Sequence, residues 1–451
     1  MNDATNRVGG LLQFSPAAIL LLAMPLLAAC DQVCEAVDPW SACYSDIHGD
    51  DSSAVRSEID EPPVAEHADA VERARPVVRA LMVEENLPGL SLAVGMAGDI
   101  VWAEGFGWAD IDAQRPVTPK TLFRGDGVAM PMTATAVGLL HERGLLDLDA
   151  PVRDYVPSFP DKEWSVTTRQ LMGHVAGVRH PPFDEELLYM RNHCESALDG
   201  LELFADDPLR FAPGTRYQYS SYGWTLVGAV VEAAAGEPFL DFMQREVYDP
   251  SEMRDTVFDD VRRPAARCTH FYWPFGGGSG VEDAADGDGT STNVGDELAL
   301  VVLPDGRPVV AYRDSSCLQG AGALLSTPSD VVRFGLASLD GRLLRPETLD
   351  LLQTPLELES GDSTEYGLGW FVPSPPLGPE VKMTVVGHSG ASVGGFTSLL
   401  TLPEHGIVVA VTTNVTVSTG HPPRRFFDDS LPSLALRLAG IFAGVEAAAR
   451  Q

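Results

Sequence analysis

The chain has 451 residues, 45% of them hydrophobic, which is enough for a large core in a single α/β folding unit. It carries 64 acidic against 31 basic residues, for a net charge of −33. A surface this acidic repels phosphate backbones and anionic headgroups, which excludes nucleic acid as a partner and adsorption onto acidic lipid. No Walker loop, dinucleotide fingerprint, G-x-S-x-G elbow or H-E-x-x-H is present, so no cofactor and no metal are expected.

Arg7 precedes an apolar run, Ala17 to Ala29, that ends in Leu27-Ala28-Ala29-Cys30. A charged start, an apolar middle and small residues before a cleavage point describe a secretory signal over residues 1–30, too short for a good spanning helix. Leu-Ala-Ala-Cys also resembles the bacterial lipoprotein box, which implies lipidation at Cys30 and an exported, membrane-anchored protein, periplasmic or at the cell surface. Cys34 and Cys43 flank a short Pro-containing loop and are placed to pair. Cys194, Cys268 and Cys317 are then an odd set, so at least one stays free or pairs between chains. Residues 31–69 are acidic and poor in large apolar groups, and read as a flexible tether.

From Val71 to Glu85 the spacing predicts a helix with Val77, Val78, Leu81 and Met82 on one face, stopped by Pro88-Gly89. Leu90–Val94 and Ile100–Phe106 read as paired strands turned at Ala97-Gly98-Asp99. A second helix is expected over 128–143, with Pro131 in its first turn and Gly144 as its stop. A short helix starts at Arg169, and an apolar one runs from Trp224 to Ala235 and closes at Gly236. Gly276 to Asp296 is a Gly/Asp-rich stretch whose spacing does not match an EF-hand, and it reads as a solvated insertion. Val331–Leu339 is helical, Tyr366–Phe371 reads as an apolar strand, and Val385–Gly390, Gly394–Leu402 and Ile407–Asn414 complete a meander. A last helix spans Leu431 to Ala449.

Three separated stretches resemble the motifs of the serine beta-lactamase and penicillin-binding-protein superfamily, including its class C and mitochondrial beta-lactamase-like peptidase branches. Phe123-Arg124 and Met132-Thr133 anchor the first. In that register the family's Ser-x-x-Lys nucleophile and base positions hold Gly127 and Met130. Tyr219 and Ser221 occupy the second motif, and His388-Ser389-Gly390 the third. The resemblance covers 70–450 and implies a beta-lactamase/transpeptidase-like fold. A central antiparallel sheet from 70–122 and 321–450 is flanked by helices, and a mostly helical part, 123–320, caps it over a cleft.

The implied activity is that of a serine hydrolase of amides or esters, but the acylating pair is absent. No catalytic residue is intact at these positions, although Tyr219 keeps the phenol that helps move the nucleophile's proton in relatives. Ser221, His388, Ser389 and Gly390 remain as substrate-binding candidates, with His388 expected to face the cleft. The leading expectation is a degenerate hydrolase binding a peptide, a cell-wall fragment or a protein. The alternatives are an active hydrolase using a nucleophile near the motifs, such as Ser220, Ser221, Ser389 or Ser392, and a self-associating scaffold, as a filament-forming relative suggests.

Overall fold

The computed structural model describes residues 47–49, 51–182, 192–260, 262, 265–272, 300–302, 308–310, 314–373, 383–392, 394–415 and 430–444. The signal and lipid-anchor residues, Cys34, Cys43 and the 276–296 stretch lie outside them.

The chain enters through a short strand β1 (Ser57–Glu58) and helix α1 (Ala68–Glu84). It continues through β2 (Gly89–Met96), β3 (Asp99–Asp110), β4 (Arg115–Pro116) and β5 (Phe123–Arg124). The helical part contains α2 (Ala129–Glu142), α3 (Thr168–Met172), α4 (Ser221–Ala235) and α5 (Phe239–Met243), followed by strands β6 (Val257–Phe258), β7 (Leu300–Val302) and β8 (Pro308–Val310). Then come β9 (Leu324–Ser326), α6 (Pro328–Leu339), α7 (Pro346–Gln353), β10 (Val386–Ser392), β11 (Gly395–Leu402), β12 (Ile407–Thr413) and α8 (Ser430–Ala443).

The main sheet runs β1-β3-β2-β12-β11-β10, antiparallel at every pairing, with β4 on β3. Strands far apart in sequence meet at its centre, where Ala410 of β12 sits opposite Ala93 of β2. Successive side chains on a strand point to opposite faces. Accordingly Val408 and Ala410 join the core that contains α2, α4 and α6, while Ile407, Val409 and Val411 join the core under α1 and α8. Both faces are covered, so β12 reads as an unbroken apolar run. On α1, Ala70, Val71, Ala74, Val78 and Met82 form the buried stripe, at the spacing expected of one helix face.

Three expectations are corrected. The acidic tether does not extend to residue 69. Val55 is buried in the second core, and Ser57 and Glu58 pair with Phe106 and Gly105. An edge strand offers unsatisfied N–H and C=O groups, and β1 takes them up on β3. Tyr366–Phe371 is not a strand but a tight reversal. The Gly367 N–H donates to the Trp370 carbonyl at 2.8 Å, and Gly369 turns at φ +95°. Only Phe371 reaches the sheet, bridging Gly387 at the edge of β10. The last helix ends at Ala443, where Gly444 adopts φ +70°. The cysteine parity holds among the described residues, since Cys194 and Cys317 form a disulfide and Cys268 is free.

Candidate active site

The approach to the first motif is pinned by charge. Arg124 and Asp259, both 1% exposed, pair at 3.0 Å, and the guanidinium lies 4.2 Å from the Phe271 ring centre. After β5 pairs with β9, the chain turns through Asp126 at φ +40° into a short 3-10 turn, Asp126–Val128, that feeds α2. Gly127 is buried in that turn. Met130 lies three residues on, the spacing that puts two side chains on one helix face, and it has no exposure.

Tyr219 arrives from the segment ahead of α4. Its hydroxyl donates to the Met130 sulfur at 3.3 Å. A Cβ built on Gly127 would lie 3.1 Å from that same hydroxyl. The three positions therefore converge on one point. The side chains at the first two are a hydrogen and a thioether, the latter only a weak acceptor.

The third motif closes on this point. The same Cβ would stand 2.6 Å from the Ser389 carbonyl oxygen and 3.2 Å from the Gly390 Cα. A Cβ on Gly390 would in turn meet the Gly127 nitrogen at 2.3 Å. Two glycines face each other, and the absence of both side chains lets β10 lie directly on the turn. Ser389 is buried, with its carbonyl on the Gly127 side.

His388 does not face an open cleft, which corrects the expectation for it. It has no exposure, its Nδ1–H donates to the Ser389 carbonyl at 2.7 Å, and its Nε2 accepts from the Tyr366 hydroxyl at 2.8 Å. Burial pushes its pKa down to about 3. Ser221 begins α4, half-buried, and its N–H donates to His180 Nδ1 at 3.2 Å. Ser220 is the helix cap, accepting from the Gly223 N–H at 2.9 Å and donating to the Arg179 carbonyl at 2.7 Å. That commits its hydroxyl to structure.

Several residues at the site were not among the candidate site residues read from sequence, although His174-Val175-Ala176-Gly177 resembles the family's His-Thr-Ser-Gly segment. His174, at φ +59° and 2% exposed, packs with its ring centre 4.3 Å from the Tyr219 ring and 4.7 Å from that of Tyr366, tilted against both. Its Nδ1 accepts from the Ser220 N–H at 3.0 Å, while Nε2 has no hydrogen-bond partner among the described residues. Burial, reinforced by His388 and His180, drives its pKa well below the ordinary value. His180 is held down at about 4 by burial and by Arg179. Asp126 sits behind β10 and is pushed up to about 6, mainly by burial, against a hydrogen bond from Ser392 and the charge of Arg124. The alternation Tyr217-x-Tyr219 was a visible signal for this aromatic cluster. Nothing local announced Tyr366 or Asp126.

A family model described as beta-lactamase matches residues 74–430. The mitochondrial serine beta-lactamase-like protein LACTB of Mus musculus is 28% identical over 464 residues, covering 80% of this chain and 77% of its own. Penicillin-binding protein 4* of Bacillus subtilis (strain 168) is 26% identical over 312 residues, covering 68% of this chain and 64% of its own. The octameric penicillin-binding protein homologue from Pyrococcus abyssi superposes with a TM-score of 0.63 at 23% identity, over 84% of this chain and 78% of its own, a likeness of fold.

Proposed function

Since this chain belongs to the beta-lactamase family of serine hydrolases, we propose that it is a member that has given up acylation and binds in place of cleaving. The observation that carries this is the convergence of Gly127, Met130 and Tyr219, with no hydroxyl where a nucleophile's Cβ would stand. In a comparable serine hydrolase, loss of the nucleophile lowers turnover by about six powers of ten, roughly 8 kcal/mol of transition-state stabilisation. Methionine matches lysine in length and fills the same channel without charge.

The ligand under this reading is a peptide, a cell-wall fragment or a partner protein, met outside the cytoplasm by a chain held to a membrane through Cys30. The groups around Tyr219 suit an uncharged portion of it. His174, His180 and His388 all have pKa values pushed below the ordinary histidine value, and the lysine position is methionine.

The test is labelling of the purified mature domain with a fluorescent penicillin and a fluorophosphonate, alongside turnover of a nitrocefin-type reporter. No covalent adduct and no turnover is the expected outcome. An adduct on any serine favours the active-hydrolase alternative and ends this reading. Light scattering across concentration addresses self-assembly, which a strict monomer excludes.

A further inference from the structure

Away from the motif residues, three metal-type side chains meet. His193, Asp260 and Asp314 each place one ligand atom within 4.8 Å of the others. The Cys194–Cys317 disulfide staples two of the contributing stretches, since Cys194 follows His193 and Cys317 lies shortly after Asp314. The staple is reinforced by the Cys194 N–H donating to Ser316 Oγ at 2.8 Å and the Ser316 N–H donating to Asp314 Oδ1 at 2.8 Å. The donors are thus preorganised before any ligand arrives.

The charge balance points to a cation. Asp260 and Asp314 are both buried, and carboxylates out of water need a positive partner. His193 stands between carboxylates on both sides, with Asp314 Oδ2 at 2.7 Å from Nδ1 and Glu195 Oε1 at 3.4 Å from Nε2. Nε2 is buried and makes no hydrogen bond among the described residues. Ser316 Oγ also lies 3.3 Å from Nδ1, so a hydroxyl and a carboxylate hold the imidazole on that side. Metal-bound histidines typically have their other nitrogen held by a carboxylate, and Glu195, 3.4 Å from Nε2, is near enough to take that place.

Arg262 supplies the compensating charge in this structure. Its Nε and Nη2 lie 3.1 and 3.2 Å from the Asp260 oxygens, and Nη1 is 2.9 Å from Glu195. Its side chain is 49% exposed, so it can move into water at little cost. We propose that His193, Asp260 and Asp314 form a divalent-metal site of the zinc class, with Glu195 orienting the imidazole and Arg262 as the side chain a metal displaces. One imidazole and two carboxylates suit zinc better than calcium or magnesium, which prefer all-oxygen shells. Tetrahedral zinc at about 2.1 Å from each donor needs donors about 3.4 Å apart, so a pair at the 4.8 Å limit would close by about 1.4 Å.

The experiment is titration of zinc chloride into the metal-stripped protein, disulfide intact, by calorimetry and by thermal melting. The parent is expected to bind one zinc and to melt higher as zinc rises. His193→Ala should weaken binding at least tenfold. Arg262→Gln should tighten it several-fold, because the competing cation is gone. If His193→Ala does not fold, Arg262→Gln and Asp260→Asn carry the test, the latter weakening binding. Absence of one-to-one binding in the parent overturns the site. So does an Arg262→Gln variant that binds zinc no better, since the cluster is then only an ion-pair network.

Discussion

Placing serine at Gly127 tests how tightly β10 sits on the first motif. Gly127→Ser introduces a Cβ that would begin 2.6 Å from the Ser389 carbonyl oxygen, with Gly390 Cα at 3.2 Å and Tyr219 Oη at 3.1 Å. Carbon–oxygen contacts settle at about 3.3 Å or beyond, so turn and strand must part by roughly 0.7 Å. Both are backbone, and no flexible side chain can give way. Overpacking of this kind costs about 1–3 kcal/mol. The cost belongs to the Cβ, so Gly127→Ala should lose about as much as Gly127→Ser. Adding Met130→Lys places an ammonium at a fully buried position, with the Tyr219 hydroxyl as the partner in reach. The double variant should therefore be less stable than either single variant, and should not label with fluorescent penicillin above the parent. Urea melts of the single and double variants, read beside the labelling gel, decide it. A Gly127→Ala protein as stable as the parent refutes the contact. Rapid labelling of a double variant with undiminished stability refutes the closed geometry altogether.

Asp126 should make the fold weaker as pH rises. Its folded pKa, about 6, lies above the unfolded 3.8, so its contribution is fully present below 3.8 and lost through 6. Asp126→Asn should stabilise at pH 7.5 by about 2–3 kcal/mol and do nothing at pH 3.5, measured by denaturant titration at both values. Asp259→Ala removes the carboxylate hydrogen-bonded to the buried Arg124 guanidinium and should cost about 3–5 kcal/mol, whereas an exposed pair such as Arg56–Glu58 should contribute under about 1 kcal/mol. Replacing Cys194 and Cys317 by serine opens a loop of 123 residues, and chain entropy puts the loss at about 4–5 kcal/mol, seen as a lower urea midpoint under non-reducing conditions.

The sequence by itself determined much of this protein. Strand and helix periods are local properties, so the meander from β10 to β12, the buried α2 and the glycine stop after α4 could all be read from neighbouring residues. The register proposed for Gly127 and Met130 rests on local sequence too, because Phe123-Arg124 and Met132-Thr133 bracket it within a few residues. Contacts between distant stretches were decided only by the tertiary structure. Which cysteine pairs with which depended on where the segment ahead of the 3-10 turn Asp199–Leu203 and the turn Ser316–Leu318 come to rest. That His388 turns to Tyr366 depended on the reversal at Gly369, which an apolar run cannot announce. The closure of β10 needed two glycines that meet only after the sheet has formed, since a missing Cβ becomes informative once the atom it would strike is known.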